Sequence, residues 1–104
     1  MEDRRIETAL FEWEGITIEV RFEAEWLGSS DPAYRTAHLD VTAITPPRAP
    51  LPFSETGYRS RFLPAEEVAA YGGPEAYVRA WLDHEAKRPA WKVHVAASKQ
   101  LSLF

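Results

Sequence analysis

Ile16-Thr17-Ile18-Glu19-Val20-Arg21-Phe22-Glu23-Ala24-Glu25-Trp26 alternates apolar and polar residues along its whole length. A period of two puts Ile16, Ile18, Val20, Phe22, Ala24 and Trp26 on one face of a β-strand and Thr17, Glu19, Arg21, Glu23 and Glu25 on the other. The first face is expected to be buried and the second wet. Upstream, Ile6 to Trp13 reaches this strand through Trp13-Glu14-Gly15-Ile16, where Gly15 can take the positive φ of a two-residue turn, so an antiparallel hairpin is expected. Downstream of a polar loop around Gly28 to Pro32, Tyr34 to Ile44 alternates again. Ala37, Leu39, Val41 and Ala43 face inward, and Thr36, His38, Asp40 and Thr42 face outward. This third strand completes a meander.

Thr45-Pro46-Pro47-Arg48-Ala49-Pro50-Leu51-Pro52 holds four of the eight prolines, which remove backbone donors and fix φ. An extended connector is expected there. The turn Glu55-Thr56-Gly57 then leads into Tyr58-Arg59-Ser60-Arg61-Phe62-Leu63, a short fourth strand at a sheet edge. From Pro64 the period becomes helical. Glu66 and Glu67 favour a helix start, and Gly72-Gly73 stops the segment after about two turns. Pro74 opens a second helix with an apolar stripe of Tyr77, Val78, Trp81 and Leu82 and an outer row of Glu75, Arg79, Asp83 and Lys87. After Pro89, Trp91 and Val95 suit a third helix, although Trp91, Val93 and Val95 also alternate as in a strand. The fold class is therefore α+β: a three- or four-stranded antiparallel meander followed by two or three C-terminal helices, with residues 1–99 as one domain.

Composition narrows the function. The chain has 104 residues, is 45% hydrophobic and carries 12 Lys+Arg against 16 Asp+Glu, a net charge of -4. That is enough apolar material for one core, and the wrong overall sign for a protein that coats phosphate backbone. Without cysteine there is no disulfide frame, thiolate zinc site or cysteine nucleophile, which fits a cytoplasmic protein. The apolar runs are short and Met1 leads into Glu2-Asp3, so neither a signal peptide nor a membrane span is expected. Charge is uneven. Residues 1–31 are strongly acidic, whereas after Glu85 only the bases Lys87, Arg88, Lys92 and Lys99 occur. Such a basic arm can complement a helix C-terminus, or steer the chain toward an acidic partner or nearby DNA.

Chemistry-bearing patterns are sparse. His38, His84 and His94 lie on three different elements without ligand spacing, and no serine stands in a nucleophile elbow. Glu19, Glu23 and Glu25 read as solubilising charges. An enzyme would need a pocket holding two of Glu19, Glu23, His38 and Asp40 with shifted pKa values. No catalytic residue, cofactor or metal is expected. Trp13, Trp26, Trp81 and Trp91 can stack on bases in principle, but their apolar faces favour core packing. Arg59, Arg61 and Tyr58 form a small basic and aromatic group that can touch phosphate.

The chain ends Gln100-Leu101-Ser102-Leu103-Phe104. This pentapeptide resembles the linear motif, Gln-Leu-Ser/Asp-Leu-Phe, by which bacterial replication and repair proteins dock on the DNA polymerase sliding clamp. The resemblance implies a non-enzymatic adaptor in DNA replication or repair, with the clamp as partner and DNA reached only indirectly. In an extended peptide Leu101, Leu103 and Phe104 enter an apolar groove and Gln100 hydrogen-bonds at its mouth. Burying three such side chains yields about 5 to 9 kcal/mol gross, and ordering the tail costs about 2 to 5 kcal/mol. A micromolar, reversible contact follows. Two other readings stay open: Leu103 and Phe104 fold back to close the core, or they meet a different apolar partner. With a core-closing tail, the chain would be a plasmid- or phage-type regulatory or antitoxin-like interaction domain. The segment Glu55-Thr56-Gly57-Tyr58-Arg59-Ser60 together with such a tail also resembles small uncharacterised proteobacterial proteins, which implies no activity. The sequence does not indicate an oligomeric state.

Overall fold

The computed structural model describes residues 6–24 and 36–101, with side chains described as far as Ala97. Among the described residues, strands β1 (Ile6–Trp13), β2 (Ile16–Glu23), β3 (Thr36–Thr45) and β4 (Tyr58–Pro64) precede helices α1 (Ala65–Ala70), α2 (Pro74–Glu85) and α3 (Pro89–Leu101). The sheet order is β1-β2-β3-β4 with every pair antiparallel, the α+β meander expected from the alternation. Glu14 and Gly15, with φ of 49° and 82°, form the two-residue turn that pairs Trp13 with Ile16. Both residues are left-handed, as a turn matching the strand twist requires.

Alternation assigns the two faces as expected. Phe11, Trp13, Ile18, Val20, Phe22, Ala37, Leu39, Val41, Ala43 and Leu63 are buried on the inner face, and Val68, Tyr77, Val78 and Leu82 of the helices close over them. The apolar stripe of α2 supplies most of that cover because Tyr77, Val78, Trp81 and Leu82 recur at helical spacing. The indole N–H of Trp13 donates to Asp83 Oδ1 at 2.9 Å and ties β1 to α2. On the outer row of α2, Arg79 Nε donates to Glu75 Oε2 at 2.9 Å, the predicted pairing one turn apart. Asp83, read as a member of that solvent row, instead serves the Trp13 bond.

Two expectations change. The second strand stops at Glu23, where its pairing with Ile6 at the start of β1 ends, and Ala24 is already in a turn. Glu25 and Trp26 lie outside the described residues. Glu23, read as a wet-face charge, is only 8% exposed, and its register partners are Ile6 and His38. The ambiguous segment after Pro89 is helical throughout its described length.

The connector between β3 and β4 folds back on the sheet. Leu51 is buried, and its N–H and carbonyl exchange bonds with Ser54 at 2.7 and 2.9 Å. Gly57, with φ of 77°, accepts a bond from Ala43 N–H at 2.8 Å while its Cα faces the backbone of Arg48 and Ala49. A Cβ there would stand 2.7 Å from the Arg48 carbonyl carbon. Glycine is required by space as well as by φ.

Candidate functional site

Three places gather the residues that the sequence singled out. The first is the end of α3. Trp91 packs at the margin of the core, 5.8 Å from the Trp13 ring centroid and 4.9 Å from His94. Its indole N–H is buried and meets no hydrogen-bond partner among the described residues. After Trp91 the helix turns to solvent: Lys92, Val93, His94, Ala96 and Ala97 are exposed, Val93 by 69%. Gln100 and Leu101 form the last residues of α3, with side chains outside the described set. Ser102, Leu103 and Phe104 lie outside the described residues altogether.

The second place is the outer face of the sheet, which no helix covers among the described residues. Register sets Glu23 beside His38, and Arg21 beside Asp40. His38 Nε2 stands 3.6 Å from Asp40 Oδ1, and the Tyr58 hydroxyl donates to that same oxygen at 2.9 Å. This bond to a carboxylate, aided by partial burial, pushes the Tyr58 phenol above its ordinary value. Phe62 lies 4.7 Å from the His38 ring and is 58% exposed. His84 lies instead beside Tyr71, Tyr77 and Trp81, and His94 stacks on Trp91, so the three histidines have separate surroundings. Among the described residues no cluster of three or more His, Asp or Glu is arranged to hold a metal ion.

The third place splits the basic and aromatic group read around Ser60. Tyr58 points to the outer face, but Arg59 and Arg61 pair with Val41 and Leu39 and so share the inner face with the core. A strand period of two separates neighbours in sequence onto opposite faces. Both guanidinium groups turn to the α2 tryptophan: the central carbon of Arg61 is 4.7 Å from the Trp81 ring centroid and that of Arg59 is 5.7 Å away. Phe53 of the connector stacks on Trp81 with centroids 4.1 Å apart, and its carbonyl accepts a bond from Arg59 Nη1 at 3.0 Å. These residues, with Glu55, Glu85 and Arg88, line an open groove of about 550 Å³. Arg88 Nε is held by Glu85 Oε1 at 2.9 Å. Arg61 has no carboxylate partner among the described residues. With its ring in contact with Phe53 and the guanidinium groups, Trp81 is a mount for cations and no open platform for bases. The sequence singled out the arginines and Trp81 separately, and only the fold, through the reach of their long side chains, brings them together.

A family model described as the KlcB third domain matches residues 6–91. That span runs from the first residue of β1 to Trp91, the side chain that docks α3. No curated protein matches the chain, and no solved structure matches it. Among the described residues no helix is long and apolar enough to cross a membrane.

Proposed function

The chain belongs to the KlcB third-domain family, and from that footing we propose that it is a non-enzymatic, plasmid-associated interaction module that docks on the bacterial DNA polymerase sliding clamp through Gln100, Leu101, Ser102, Leu103 and Phe104. The observation that carries the reading is the division of the chain at Trp91. The family span and the described core both reach that residue, while the pentapeptide follows a largely exposed length of α3. On this reading the pentapeptide enters a groove on another molecule rather than its own core. Gln100 and Leu101 lie in the last turn of α3, so an extended bound form unwinds that turn, a small cost because helix ends fray. The bases Lys92 and Lys99 favour approach to an acidic rim.

Calorimetry against purified clamp tests the proposal. Binding in the micromolar range is expected for the intact chain, with loss of about tenfold or more when Leu103 and Phe104 are both changed to Ala. Unaltered binding by that variant, or none by the parent, would end the reading. A tail that closes the core instead lowers the melting temperature by several degrees when residues 100–104 are deleted, with no clamp binding to lose.

A further inference from the structure

The groove between β4, the connector and α2 has a composition that the edge of a small sheet does not call for. Inward-pointing charge on an edge strand deters pairing with another chain. Here two arginines on the inner face converge on one ring, with Arg88 lining the same groove. Arg59 and Arg61 bring two positive charges to one ring at a half-open surface, and Glu55 and Glu85 along the groove offset them only in part. Arg79 and Arg88 differ from this pair: Arg79 also lies over a ring, Phe11 at 4.4 Å, but each of the two is held by a carboxylate, Glu75 and Glu85 respectively.

We propose that this groove binds a phosphoryl group, with Arg59 and Arg61 as the donors and Arg88, paired to Glu85, at its α2 margin. Arg59 is pre-oriented by the Phe53 carbonyl and Arg61 by Trp81, so little side-chain freedom is lost on binding. A tetrahedral dianion can accept from more than one guanidinium at once, with the shortened, charge-assisted bonds that favour arginine at phosphate sites. Glu55 and Glu85 line the same groove and oppose an anion there, which keeps the expected affinity modest. The volume exceeds a bare phosphate, leaving space for the group that bears it. Two sources share this chemistry: a small phosphate ester and the backbone of a nucleic acid. The site is independent of the C-terminal tail and stands or falls separately.

Nitrogen-15 NMR of the full chain reads the site through the arginine Nε–H and tryptophan indole signals. Titration with pyrophosphate and, separately, with a short oligothymidylate, both at matched ionic strength, is expected to move Arg59, Arg61, Arg88 and Trp81 saturably, with half-saturation near or below about 1 mM. Tighter binding of the oligonucleotide assigns the site to a nucleic-acid backbone, and tighter binding of pyrophosphate assigns it to small phosphate esters. Arg61→Gln should weaken binding about tenfold, Arg61→Lys less, and Arg79→Gln not at all. Failure of both probes to saturate, equal affinity in R61Q, or movement spread evenly over all arginines would overturn the proposal. Should R61Q not fold, the confinement of the parent's shifts to those four signals decides by itself.

Discussion

Gly57 shows how one residue can hold two segments together. Its left-handed φ and the close approach of the Arg48 and Ala49 backbone leave no room for a side chain. Gly57→Ala is expected to cost about 2 to 4 kcal/mol, and therefore to lower the melting temperature by about 10 °C or more in a thermal scan. Tyr77 illustrates a quieter effect. Burial pushes its phenol above the ordinary value, with the Glu67 carboxylate adding to the rise and Arg61 opposing it. A raised folded-state pKa means that the unfolded chain ionises first. The contribution of Tyr77 is thus complete below the unfolded value near 10.0 and is lost as pH climbs through the folded one. Stability curves of the parent and Tyr77→Phe should run parallel below that point, and above it the parent should fall more steeply.

At the scale of elements, the buried stripe of α2 is the main lid of the sheet. Leu82 is fully buried, so Leu82→Ala should destabilise by about 2 to 5 kcal/mol in denaturant unfolding, whereas Val93→Ala on the exposed side of α3 should change stability by less than about 0.5 kcal/mol. These elements were readable in advance because period is a local property: Ile16 to Phe22 and Ala37 to Ala43 declare a strand, and Tyr77 to Leu82 a helix, by spacing alone. What spacing could not reveal was which side chains from distant elements meet. Asp83 looked like a solvent charge until β1 brought Trp13 to it, and Arg59 and Arg61 gained a site only when α2 delivered Trp81. Glu23 misled for the same reason, since its burial depends on the neighbours that β1 and β3 set beside it. The stretch from Trp91 to Val95 was undecidable locally because its apolar residues satisfy both periods at once.

At the scale of the molecule, the chain is a sheet with helices on one side, followed by an arm. Each strand pairs with the next in sequence, so the sheet is complete by Pro64, before α2 has begun. That order has a consequence in time. Neighbouring strands meet with short loop closures, which favours rapid assembly, and during synthesis the sheet can zip together while its lid is still unmade. For that interval Ile18, Val20, Leu39 and Val41 form an uncovered apolar surface. A fragment of residues 1–73 should accordingly aggregate, and one of residues 1–91 should stay dispersed and melt cooperatively, a difference that sedimentation and calorimetry would read directly. Quick closure by the twelve residues of α2 is then a kinetic safeguard: the helix that stabilises the finished molecule also sets how long the nascent chain is exposed to its neighbours.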